Sequence, residues 1–568
     1  MGIVITEIEF FNKLSRNEFQ GEEIEVLFRV NLDSTISGWD FKNFKNITFH
    51  EKVIIKDINL KSGIEFINCN FKKGIYFINI KSTDFDVNIN SNNCSIKFDS
   101  CLSKIICFSE KCYIERSLRI CNNSNIEKLE IRYLKILNEG LVINKSNLEY
   151  LDIFNSSFEI NLSQSIFSKP LRILSLKGNI AFVSNEFNDW LKLWNIECSY
   201  GITFNKNVFK EKFNIEGSKI KRLSIVGDVF EKKAELENRD LSGNNLETYL
   251  NKLYISEAKF TEGFDFNGLG KPIEKIELPL SPIFQGLLKF VGWQVDDLYL
   301  SGINQNLKLL FKNISFRFFM INDFTNYSDI SFDKCKGYED CTLNLSDCDL
   351  GSTKFNEFEF DSFLSIRINN ATLDKIKPTS SNWFKENSLE IGDGTQTNEE
   401  EFKRKREIYR QIKQALKNNG NQIDSLIFQA RELSAYKKEL ELSKEKTFGD
   451  KVIMCVSKTN DFGLNWTKPV WIVFFVTFIV FLIVLPAISD KIDYKIAKSR
   501  SDLSITWDVL NSNFNIFWQL FNPIRQVKLI FGDNKFSGWI YLIDLLHRIF
   551  LGIMIFQIIK AFRKFVSY

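Results

Sequence analysis

Four phenylalanines, Phe167, Phe187, Phe209 and Phe230, recur at steps of 20, 22 and 21 residues. A chain that returns an aromatic ring to the same place about every twenty residues builds one structural turn per period and stacks turn on turn. Doublets of strand-type residues share the period. LEI (129–131), LDI (151–153), LSL (174–176), WNI (194–196) and FNI (213–215) begin 22, 23, 20 and 19 residues apart, and LSI (223–225), LYI (253–255) and LYL (298–300) continue the series. A third phrase places an asparagine between apolar residues: FINCNF (66–71), IFNSSF (153–158), FKNISF (311–316) and INNATL (368–373). Short alternating strands argue for β-structure, and the asparagines fall where tight corners require a left-handed backbone. Residues 1–394 are therefore expected to form an irregular right-handed parallel β-helix with Phe, Leu and Ile turned inward. The alternative is a leucine-rich-repeat-like solenoid, since IEKLEI (126–131), LEYLDI (148–153), LRILSLKGN (171–179) and VDDLYL (295–300) fit its opening. The asparagine that fold needs stands at Asn179 and is missing after most other doublets.

Charge and rare residues narrow the chemistry. Lys and Arg number 74 against 71 Asp and Glu, a net charge of +3, so no basic excess points to nucleic acid. Eleven cysteines without a CxxC pair fit reduced thiols in a cytosolic compartment. With His50 and His547 as the only histidines, a histidine-based catalytic site or metal cluster is not expected. Neither a phosphate-binding loop nor a nucleophile elbow is present, so no cofactor or metal is implied. GFDFNGLGKP (263–272) opens no helix and reads as a corner between coils. Asp329, Asp333, Asp340, Asp347 and Asp349 are dense enough to suggest a β-helical carbohydrate-active enzyme, but Asp at such corners is ordinarily structural. No enzyme is expected.

The pattern changes after Gly394. Phe402, Tyr409, Ile412 and Leu416 form one stripe, and Ile423, Leu426, Ile427, Ala430, Leu433 and Leu440 form another. Together they predict an α-helical hairpin over 395–447, followed by a linker at 448–467. Val470 to Ile488 is nineteen residues without a charge, the length of a membrane span. Spans are predicted at 468–489 and 537–560, with a basic tail at 561–568. The absence of a signal-peptide pattern places both ends on one side, with the solenoid in the cytoplasm. Lys491, Lys495, Lys498, Arg500, Arg525, Lys528 and Lys535 between the spans give that orientation little help.

Within the inter-span region 490–536, Trp507, Phe514, Phe517 and Trp518 lie at helical spacing on an amphipathic segment, 504–521, suited to an interface or a pathway. Phe531, Gly532 and Asp533 echo the end of a potassium filter, but Lys528, Leu529 and Ile530 stand where its ring of carbonyls would begin. Inside the second span, Asp544 precedes Arg548 by four residues, a favourable order on a shared helix face. Ionisable groups in a span seldom face lipid, so this pair is expected to meet other helices and serve assembly or gating. The alternative is an interfacial turn with only the later residues buried.

The order of parts, with Tyr409…Lys413…Leu416, Phe428…Arg431-Glu432 and the terminal IFQIIKAFRKF (555–565), resembles bacterial membrane proteins in which a pentapeptide-repeat-like domain precedes a channel-like two-helix tail. The resemblance implies a multi-pass protein of the bacterial inner membrane and brings no catalytic residues. The expected partners are the lipid bilayer, further copies of the chain through the membrane region, and an unidentified protein on the solenoid. The solenoid would be a recognition surface controlling a membrane effector or pore, in a stress or phage-defence role. The alternative is a membrane-anchored scaffold without a pore.

Overall fold

The computed structural model describes residues 3–16, 18, 23–32, 42–58, 64–89, 95–108, 113–237, 248–391, 398–443, 448–488, 510–526 and 538–562. The chain divides into two compact units, Met1–Glu390 and Ile391–Tyr568.

The first unit is a parallel β-solenoid of about 15 turns. Helix α1 (Glu7–Arg16) lies near its start, opened by a reciprocal cap. The Glu9 N–H donates to Thr6 Oγ1 at 3.3 Å and the Thr6 N–H to Glu9 Oε2 at 2.8 Å. Phe10 and Leu14 on its inner face are buried, and Phe10 meets Phe28 and Phe49 edge-on, closing the first turns of the core.

In the middle of the solenoid every turn has four short sides. Ile160 pairs with Ile180 and then Ile202; Phe167 with Phe187 and then Phe209; Leu171 with Leu191 and then Phe213; Lys177 with Glu197 and then Lys219. A leucine-rich repeat lines one side of each turn with strand. Here four sides pair in parallel, and α1 is the only α-helix described in this unit, so that alternative does not hold.

Stacking identical side chains at the spacing of neighbouring strands, about 4.8 Å, sets the period. Phe167, Phe187, Phe209 and Phe230 stack with ring centroids 5.0, 4.9 and 4.6 Å apart. A second column, Phe266, Phe290, Phe311, Phe332 and Phe355, stacks at 5.1, 5.1, 4.9 and 5.4 Å. Such pairs contribute about 0.5–1.5 kcal/mol each beyond area burial. The strand doublets are not one column. LEI and LDI stack in register, but the next residues in their column are Leu171 to Ile173, three before LSL. LSI and LYI lie on another side, whose preceding member is Ile202 to Phe204. Every side needs an apolar-x-apolar pair, so doublets from two sides share one spacing.

Corners follow the asparagine phrase. Asn155, Asn313 and Asn370 have φ of 46°, 54° and 48°, a left-handed backbone that Asn tolerates better than most residues. GFDFNGLGKP lies within a ladder whose register shifts between Phe260/Phe264 and Asn267/Lys271, with Gly263 and Gly270 at φ 103° and 82°. Those shifts are its corners. Asp333 and Asp347 accept hydrogen bonds from Asn356 Nδ2 at 2.6 Å and Asn370 Nδ2 at 2.7 Å, one turn on.

One interior column is polar. The backbone N–H of Ser146 donates to Ser165 Oγ (3.2 Å), that of Ser165 to Asn185 Oδ1 (3.0 Å), that of Asn185 to Asn207 Oδ1 (2.9 Å), and that of Asn207 to Asp228 Oδ1 (2.7 Å). Asn185 and Asn207 also donate from Nδ2 to the carbonyls of Leu162 and Phe182, at 2.7 and 2.8 Å. Asp228 ends the column and is buried. Loss of water pushes its carboxyl up to about 7, against the pull of the amides it accepts.

The second unit is helical. Helices α2 (Asn398–Asn418) and α3 (Gln422–Leu442) are joined through Gly420 at φ 77°, and Asn421 Oδ1 caps α3 at the Asp424 N–H (3.1 Å). They pack together with Tyr409 against Phe428 and Lys413 Nζ 2.6 Å from Glu432. Helix α4 (Phe448–Lys458) leads to α5 (Thr467–Ile488), followed by the short α6 (Phe514–Leu520) and α7 (Gly538–Phe562). Helices α5 and α7 are long and apolar enough to cross a membrane. They run antiparallel: Trp466 stacks on Phe562 at one end, Val473 packs with Leu551 and Met554, and Val480 and Val484 share a cluster with Ile540 and Ile543 at the other.

Candidate functional site

Helix α6 inserts its apolar side against this pair. Phe517 and Leu520 are buried with Val480, Phe481, Val484 and Leu485. The Phe517 ring meets Phe474 and Phe481 at 5.4 and 5.8 Å. Asn522-Pro523 then stops the helix, as proline must. Asn522 Oδ1 accepts the Ile524 N–H at 2.9 Å, and the resulting turn aims Arg525 back between the helices.

Arg525 is buried, as are Asp544 and His547 on α7 and Thr477 on α5. Its Nε donates to Asp544 Oδ1 at 3.0 Å, and Nη2 contacts the same oxygen. Nη1 donates to the carbonyls of Leu520 (2.7 Å) and Asn522 (3.3 Å), which holds the turn. Nη2 also lies 3.2 Å from His547 Nδ1, and His547 Nε2 lies 3.1 Å from Thr477 Oγ1. A guanidinium can only donate, so Nδ1 is the acceptor and the imidazole proton sits on Nε2, where it donates to the threonine hydroxyl. Five side chains from three segments thus form one chain: Thr477, His547, Arg525, Asp544 and Arg548. Thr477 and His547 stand ten and nine residues inside their helices, about 15 and 14 Å from the starts at 1.5 Å per residue. The network lies near the middle of the apolar stretch.

Arg548 Nη2 is 2.7 Å from Asp544 Oδ2, so the acid stands between two guanidiniums. Of the aromatic residues expected on an amphipathic segment, Phe517 is buried while Phe514 and Trp518 are exposed on α6. The described part of 504–521 is helical at 510–512 and again from Phe514, broken at Asn513. Trp507, Phe531, Gly532 and Asp533 lie outside the described residues. Reading the sequence alone missed Arg525, His547 and Thr477 as members of the site. The available signal was the proline stop two residues before an arginine in a segment rich in aromatic residues, but only the fold brings that arginine to Asp544.

Comparison with protein-family models, with curated proteins and with solved structures gave no match.

Proposed function

We propose that this chain is a multi-pass membrane protein whose α5 and α7 cross the bilayer, and whose solenoid, a right-handed pentapeptide-like β-helix in the cytoplasm, is the recognition surface that controls them as a pore-like effector. The observation carrying this reading is the Arg525–Asp544–His547–Thr477 network. A membrane anchor needs only apolar surface, whereas ionisable groups at mid-span are costly and persist where they serve a pathway or a switch. Helix α6 with its arginine is a removable wedge in this account, and α2 to α4 link it to the solenoid along the chain.

The test is expression of the full protein and of a chain ending at residue 447. The full protein is expected to need detergent for extraction, resisting carbonate and high salt, and to admit a small dye into cells. The shortened chain is expected to be soluble, rich in β-structure and inert. Membrane retention without dye entry or depolarisation at any expression level would make the protein an anchored scaffold instead.

A further inference from the structure

The network is not balanced in charge. Among the described residues that face it, α5 supplies Thr477, the turn after α6 supplies Arg525, and α7 supplies Asp544, His547 and Arg548. Two guanidiniums therefore share one carboxylate. Arg525 uses all three of its nitrogens in hydrogen bonds. Arg548 is different: its Nε and Nη2 are buried yet make no hydrogen bond, and its one ion pair is to an acid already engaged by Arg525. An uncompensated positive charge with unsatisfied donors in an apolar layer calls for a negatively charged acceptor.

Three sources can be compared. A lipid phosphate lies at the membrane surface, whereas Arg548 is ten residues from the start of α7 and fourteen from its end, about 15 and 21 Å along the axis. That exceeds the reach of a snorkelling arginine. Among the described membrane helices a second copy repeats the same excess, because α5 has no charged residue from Pro469 to Ile488 and α7 has no acid besides Asp544. A small mobile anion remains. Resting on the pore reading above, we propose that Arg548 is the anion-binding residue of that pathway, which accepts chloride-sized inorganic anions in preference to cations. Asp544 holds it in place, and Arg525, His547 and Thr477 extend the polar network behind that acid.

The test uses full-length protein in vesicles of neutral lipid with a potassium chloride gradient. Wild type is expected to give a reversal potential on the chloride side of zero, and replacing chloride by gluconate should abolish most of the current. Arg548→Gln should lower the chloride-to-potassium permeability ratio tenfold or more, while Arg548→Lys, which keeps the charge, should retain most of the preference. A cation-selective wild type, or an unchanged ratio in Arg548→Gln, overturns the anion site and leaves the pore standing. Absence of current in every salt overturns both.

Discussion

In the solenoid the buried polar side chains Ser165, Asn185 and Asn207 pass a hydrogen bond from each turn to the next, whereas the buried polar network between α5 and α7 includes two side chains of formal charge, Arg525 and Asp544. The first arrangement is periodic. Each amide satisfies itself with the turn before and the turn after, so the column can lengthen without placing a charge out of water. The second draws single residues from three segments and cannot be repeated. Asp228, the last member of the column, and the buried Glu216, 2.9 Å from Lys192 Nζ, bring the solenoid close to the condition of the helices. A repeat can hide polarity inexpensively, and a unique site cannot, so the unique site points to function.

The comparison breaks most visibly at Arg525. Arg525→Met leaves Asp544 without its main partner, and removing one member of a buried pair costs about 3–5 kcal/mol. Thermal unfolding in detergent should fall accordingly, and the 514–526 segment should become open to protease. Adding Asp544→Leu together with Arg548→Leu should restore more than half of the loss, since three apolar residues leave no buried charge, whereas Asp544→Leu alone strands Arg548. An Arg525→Met protein as stable and protected as its parent would mean that the wedge is not held by charge.

A subtler change sharpens the other side. Asp228 keeps its proton in the folded state where an unfolded chain has released it. Its contribution is therefore most favourable below 3.8 and declines as pH rises to about 7. The span is about three pH units at 1.36 kcal/mol each, on the order of 4 kcal/mol. Asp228→Asn should remove that slope, gaining stability over the parent at pH 8 and little at pH 4, as read from the β-sheet circular dichroism signal on unfolding. An equal difference at both pH values would show that the carboxyl does not titrate with folding.

The smallest effect belongs to the surface. Arg172 donates from Nε to Asp152 at 2.7 Å, but its side chain is 48% exposed. Asp152→Ala should therefore change stability by less than about 1 kcal/mol, by urea unfolding. A larger loss would place this pair among the buried contacts it contrasts with.

The solenoid was legible because its physics repeats. Phe187 and Phe209 each report the same stacking demand, and Asn155 and Asn313 each report the same left-handed corner, so the period survives local noise. The strand doublets misled where two sides of the turn share a composition. Asp544 and Arg548 were legible because four residues on a helix define one face. Arg525 was not, since its position depends on a chain reversal at Asn522-Pro523 and on packing of Phe517, neither of which carries a periodic signature. Thr477 in an apolar run reads as a tolerated hydroxyl until His547 is placed opposite it.

The depth of the network in a bilayer tests the account most directly. Phe478 neighbours Thr477 and is partly exposed on the outside of α5, so a fluorophore on Phe478→Cys, with the exposed Cys455 changed to Ser, reports the environment there. The account predicts strongest quenching by lipids brominated near the ends of their acyl chains, and little by iodide in the buffer. Quenching by iodide, with indifference to brominated lipid at every depth, would contradict it and make α5 and α7 the core of a soluble helical domain.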